Sequence, residues 1–234
     1  MFLSRRKFLN YINCTGLTAI STPLFGSIQS SDNHHLLNYF KFSVGEIKIT
    51  VVSDGGFQLP ISSIDINSSE ENLKKHLKHY HMQEDHIYMN TNLAVIEVED
   101  KKLLIDVGSG SRFIGNTGKL FDNLSKANID PESITNVFLT HAHPDHILGI
   151  RDDFDETIFP DAEFMISEKE YGWWTKKNRV NEVDETFMQM VLWAQNSLNA
   201  IPEISLFKNE KSILPGVTVF ETSGHSPGHS SILI

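Results

Sequence analysis

The chain has 234 residues, 40% of them hydrophobic and 21% charged, with a formal net charge of −10 from 20 Lys and Arg against 30 Asp and Glu. This composition excludes a disordered, collagenous or membrane-spanning chain, and the acidic balance gives no basic footprint for a nucleic-acid partner. The one cysteine, Cys14, excludes an internal disulfide and a cysteine-rich zinc site, so a metal would have to be held by carboxylates and by the 11 histidines.

The chain opens on Ser4-Arg5-Arg6-Lys7-Phe8-Leu9, and a weakly apolar stretch follows from Tyr11 to Phe25. The stretch is too short and too polar for a membrane-spanning helix. It resembles a bacterial twin-arginine export signal. Residues 1–30 are therefore expected to be a leader that sends a folded, metal-loaded protein to the periplasm, with no membrane anchor once it is removed.

Phe40–Val44 and Glu46–Ser53 are rich in β-branched and aromatic residues and meet at Gly45, which predicts a hairpin. Asp54-Gly55-Gly56 reads as a turn. Ile61–Asn90 is polar and mixed and reads as a helix plus loop; His76, His79 and His81 there read as a solvated face. Leu93–Val98 and Lys102–Asp106 predict a second hairpin around Glu99-Asp100. Lys119–Ala127 has helical spacing at Leu120, Phe121 and Leu124. Val137–Leu139 and Phe164–Ile166 read as buried strands, and Ser167 with Glu170 as a helix start. Asp184–Leu198 is a long helix with Phe187, Val191, Leu192 and Leu198 as its apolar stripe. Val217–Phe220 and Ser231–Ile234 read as strands. Hairpins first, then strands alternating with helices, predict an α/β (α+β) fold with a mixed sheet covered by helices.

Two segments carry the chemistry. Thr140-His141-Ala142-His143-Pro144-Asp145-His146 follows a strand directly. In an extended segment His141 and His143 fall on one side and can grip one ion. Pro144 then bends the chain and sends Asp145 and His146 to an adjacent position. Imidazole and carboxylate suit zinc, and iron, manganese or cobalt accept the same donors. The second segment, Thr222-Ser223-Gly224-His225-Ser226-Pro227-Gly228-His229, also follows a strand. Its glycines allow a tight turn that brings His225 in as a further ligand, whereas His229 reads as a hydrogen-bonding or core histidine.

His141-x-His143-x-Asp145-His146 followed by Gly-His225-Ser-Pro-Gly-His229 resembles the metallo-β-lactamase-fold hydrolases. Leu104-Ile105-Asp106-Val107-Gly108 resembles the family's strand ending in Asp-x-Gly. Phe40–Pro60, Phe159-Pro160 and Leu214-Pro215-Gly216-Val217 resemble the methyl parathion hydrolase-like branch. The resemblance covers about Tyr39 to Ile234 and implies an αββα sandwich over residues 39–234. It implies that His141, His143 and His225 hold one ion, that Asp145 and His146 hold another, and that Asp106 orients a ligand through hydrogen bonds. The family's bridging Asp and final His come after the second motif. The chain ends at Ile234, so it is expected to hold one ion better than two, or to bind metal weakly, and the sandwich is expected to stop short of its last elements.

The implied reaction is hydrolysis by a metal-activated water at an ester, lactone or phosphotriester-type centre of a small molecule, with Asp145 as both ligand and proton acceptor. A β-lactamase, a thioesterase of the glyoxalase II kind and an inactive metal-binding relic are the alternatives. Phe154, Trp173 and Trp174, with Phe187, are the candidates for lining the substrate pocket. Homodimerisation is left open.

Overall fold

The computed structural model describes residues 38–64 and 68–234. The leader reading of residues 1–30 lies outside them. Among the described residues, ten strands assemble into two sheets. The larger sheet runs β1 (Tyr39–Val44), β2 (Ile47–Pro60), β3 (His86–Val98), β4 (Lys101–Ile105), β5 (Asn136–Leu139), β6 (Glu163–Ser167) and β7 (Ile204–Phe207), in chain order. Its first four strands are antiparallel, and β4 to β7 are parallel. The smaller sheet is an antiparallel meander of β8 (Glu210–Leu214), β9 (Val217–Glu221) and β10 (Ser230–Leu233).

Alternation along the strands builds two cores. Leu104, Val137, Leu139, Phe164 and Ile166 point to one face of the large sheet and meet the helices. These are α2 (Leu120–Lys126), α4 (Glu168–Trp174) and α5 (Glu185–Leu198), which bring Leu120, Leu124, Trp174, Val191, Ala194 and Leu198. Leu103 and Phe138 point the other way and pack with Ile49, Ile96 and Phe207 against Val217 and Val219 of the small sheet. The result is the mixed α/β architecture expected, with helix, sheet and sheet stacked in layers.

Several local expectations change. Asp54-Gly55-Gly56 lies inside β2, where a register shift between Ser53 and Gly55 absorbs the irregularity. His86–Asn90 is strand, because the far half of β2 supplies a partner, with Phe57 opposite Met89. The helix in that region is α1 (Glu70–His79). Strands β7 and β8 are not expected from the sequence pattern. On α5 the buried face is Val191, Ala194 and Leu198, while Phe187 and Leu192 stay 38% exposed.

Candidate metal centre

The carboxyl ends of β4, β5 and β6 point to one edge of the sandwich, where a sheet containing parallel strands places its ligand sites. Asp106 follows β4, the first histidine segment follows β5 and runs into the short helix α3 (Pro144–Ile147), and Glu170 sits in α4 after β6. The loop between β9 and β10 arrives from the other sheet, and Ser230 N donates to Thr140 O across the join (2.9 Å).

That join brings His225 to His141 and His143. The Nδ1 of His143 lies 2.9 Å from the Nε2 of His225, which lies 3.2 Å from the Nε2 of His141. All three nitrogens fall within 4.8 Å of one another. A tetrahedral ion with nitrogen arms of 2.0–2.1 Å needs donor separations of about 3.3–3.4 Å. Two of the separations are already near this value, so the three side chains can close on one zinc-sized ion by side-chain rotation.

The tautomers suit that fit. Thr140 Oγ1 has one proton, which it donates to Asp106 Oδ2 (2.8 Å), so it accepts from His141 Nδ1 (2.9 Å). His141 is thereby protonated at Nδ1, and its Nε2 lone pair faces the cluster. Asp106, 5% exposed, also accepts from Thr140 N (2.7 Å) and His146 Nδ1 (2.8 Å). Its φ of +59° is the left-handed conformation that Asp and Asn tolerate better than most residues.

Asp145 lies beside His146, with its Oδ2 3.4 Å from His146 Nε2. Burial opposes protonation of His146, but Asp106 and Asp145 outweigh it and push the imidazole up to about 10. Asp145 is held below the usual carboxylate range; burial opposes this, and the neighbouring His146 overrides it. Burial, reinforced by the surrounding imidazoles, depresses His143 to about 4 and His141 further. In the protein without metal, His141 and His143 thus present neutral nitrogens, while His146 must lose a proton to become a ligand.

A groove of about 550 Å³ opens beside the cluster. Trp173, Trp174 and Phe187 wall it, with His143, His225 and Lys169. Trp174 is 1% exposed and sets its ring edge-on to His143 at 5.6 Å. Trp173 is stacked under the Arg179 guanidinium at 4.3 Å. Phe154 is not brought here. Asp152 Oδ1 accepts from both Phe154 N and Glu156 N, and the turn so formed leaves Phe154 85% exposed, away from the groove lining. A larger concavity of about 710 Å³, beside Phe121 and Phe159, contains none of the histidines.

His229 donates or accepts at Thr222 Oγ1 (2.8 Å), and its ring lies 5.0 Å from that of His141, so it supports the cluster from the side. Sequence reasoning missed two members. The motif around Thr140 suggests no role for its hydroxyl. The sequence makes Glu170 a helix-start residue, yet it is fully buried beneath both histidine loops. The Ser-x-x-Glu spacing that suggested a capping box gives no sign of which way the carboxylate turns.

A family model described as the metallo-β-lactamase superfamily matches residues 88–234. An N-acyl homoserine lactonase from a Bacillus species is 21% identical over 159 residues, covering 60% of this chain and 56% of its own. The chain thus spans little more than half the length of that curated relative. Among solved structures, the dizinc quorum-quenching lactonase AidC, in complex with a product N-hexanoyl-L-homoserine, is 28% identical with a TM-score of 0.76. That match covers 83% of this chain and 69% of AidC. The hydrolase AbOPH is 25% identical with a TM-score of 0.74, over 84% of this chain and 69% of its own.

Proposed function

The chain belongs to the metallo-β-lactamase superfamily, and on that footing we propose that it is a metal-dependent hydrolase that opens a small lactone. The observation that carries the reading is the convergence of His141, His143 and His225 beside Asp145 and His146. The relatives named as lactonases support the substrate class. His141, His143 and His225 would hold one ion, and Asp145 with His146 would offer donors to a second. Zinc is the ion favoured, from the donor types and the dizinc relative.

When bound, a divalent ion supplies a water nucleophile at neutral pH and polarises the scissile carbonyl. The remaining work falls to the chain. Asp106 and Thr140 hold the imidazoles of His146 and His141 in the tautomers that leave Nε2 free. Asp145 is ionised in the resting protein, so it can take a proton from the attacking water, pass it to the leaving oxygen and return to the ionised state. Trp173 and Phe187 take an apolar substituent in the groove and exclude water from it.

A second reading, phosphotriester hydrolysis of the methyl parathion hydrolase kind, is favoured by Phe40–Pro60 and by the paired Trp173 and Trp174. Comparing kcat/KM of the zinc-loaded chain on an N-acyl homoserine lactone and on an aryl phosphotriester separates the two. The lactonase reading expects the lactone to be turned over at least about 100-fold more efficiently, about 2.7 kcal/mol of differential transition-state binding. The reverse preference would favour the phosphotriester reading. We further read Ser4–Leu9 as a twin-arginine leader, which makes the periplasm the site of action.

A further inference from the structure

Glu170 is fully buried, and four donors converge on its carboxylate. Oε1 accepts from Ala142 N (3.0 Å) and Trp174 Nε1 (2.7 Å). Oε2 accepts from Ser226 Oγ (2.9 Å) and Gly228 N (2.6 Å). Ala142 sits between His141 and His143, whereas Ser226 and Gly228 follow His225 in its turn. The first loop leaves the large sheet and the second leaves the small one, so a single carboxylate spans the two halves of the histidine cluster. It also fastens Trp174, whose ring abuts His143.

The backbone confirms how tightly the parts are set. A Cβ added to Gly228 would come within 2.2 Å of Glu170 N, so this turn lies directly on the first residues of α4. Ser226 and Ala142 are likewise buried, at 4% and 0%. A charge enclosed this deeply is tolerable only with its lone pairs satisfied, and here each oxygen has two donors.

We propose that Glu170 is a positioning residue that sets the separation of His225 from His141 and His143, and through it the grip on the ion. This rests on reading those three histidines as a metal site. It implies a specific defect in Glu170→Gln. Ala142 N and Trp174 Nε1 can only donate, as can Gly228 N, whereas the Ser226 hydroxyl can reverse. The amide therefore turns its oxygen to Ala142 and Trp174 and its NH₂ to Ser226 and Gly228. The first loop keeps its anchor, and the Gly228 N–H meets another donor. The His225 turn is released while the His141–His143 segment stays in place.

The test is zinc affinity of the metal-free full chain, by competition with a chromophoric chelator, for wild type, E170Q, H225A and E170Q/H225A. Thermal midpoints of the metal-free proteins are followed alongside. E170Q is expected to bind zinc about 10–100-fold more weakly than wild type. The double variant is expected to match H225A within about twofold, because the carboxylate acts through a ligand already removed. A general loss of packing would instead add to the H225A defect, and such additivity overturns the proposal. So does wild-type affinity in E170Q alongside a weakened H225A. Equal affinity in wild type and H225A overturns the metal reading and this proposal with it. Should E170Q fail to fold, S226A decides the matter, since it keeps the carboxylate and three of its four bonds. It is expected to weaken zinc binding several-fold, again without adding to H225A, and additivity there overturns the proposal equally.

Discussion

Asp106 is a fixed hydrogen-bond acceptor beneath the histidine loop. One oxygen takes Thr140 N, and the other takes both Thr140 Oγ1 and His146 Nδ1. Asp106→Asn keeps the left-handed backbone, since Asn tolerates φ near +60°. It turns an NH₂ toward His146 and forces that ring to carry its proton on Nε2, the nitrogen a metal would need. We expect D106N to fold, with a lowered thermal midpoint in the metal-free form because His146 loses its charge partner, and to bind zinc about 10–100-fold more weakly. Asp106→Ala is expected to lose more stability, because Thr140 N is then orphaned and Ala tolerates the positive φ less well than Asp. The same imidazoles set the pH response of the metal-free protein. Unfolded histidines titrate near 6.5, whereas folded His143 titrates near 4 and His141 lower still. Between pH 6.5 and 4 the unfolded chain binds protons that the folded chain refuses, so stability falls as pH falls. His146 has the opposite sign. Held near 10, it stabilises fully below pH 6.5, and that contribution is lost as pH rises through about 10. A thermal midpoint that peaks near pH 6.5 and declines on both sides is expected from differential scanning calorimetry. A midpoint flat from pH 4 to 10 would contradict the protonation states assigned to the site.

At the level of elements, the site depends on one strand capping a distant loop. Helix α2 has Lys119 at its N-cap and no side-chain cap bond there. Asp54, from the bulged part of β2, supplies the acceptor instead, taking Leu120 N at 2.9 Å, Ser109 N at 2.9 Å and Gly118 N at 3.2 Å. Gly108 is compelled beside it, since at φ +74° a Cβ would lie 2.8 Å from the Asp54 carboxyl carbon. Asp54→Ala orphans all three N–H groups, and chemical denaturation should register a loss on the order of 3 kcal/mol. A loss under about 1 kcal/mol would show that water or rearrangement satisfies them. Here the limits of reading a sequence are physical. The strands β1, β5, β6 and β9 were legible because alternation and β-branched residues are local. So were His141, His143 and His225, because each follows a strand in a short polar turn. Asp54 read as a turn residue because Asp-Gly-Gly is locally a turn; only pairing with β3 keeps it in a strand. Glu170 reads only as a helix-start residue because its partners lie 28 and 58 positions away. Phe154 read as a pocket residue because it follows the metal loop, but the Asp152 turn directs the chain elsewhere.

At the scale of the whole molecule, two sheets that could have formed separate surfaces are tied at one edge, and the chemistry is assembled across the tie. His225 comes from the small sheet's loop, and every other histidine of the cluster except His229 comes from the large sheet's. Export is proposed for the same molecule. With the first forty residues fused to a reporter, Arg5→Lys with Arg6→Lys is expected to abolish periplasmic delivery, and unchanged delivery would remove the leader reading. The central claim, a metal held by His141, His143 and His225, is tested most directly by elemental analysis of the purified, zinc-loaded full chain beside His143→Ala. We predict retained zinc in wild type and its loss in H143A, together with loss of lactone hydrolysis. Equal zinc content in the two proteins would contradict the account.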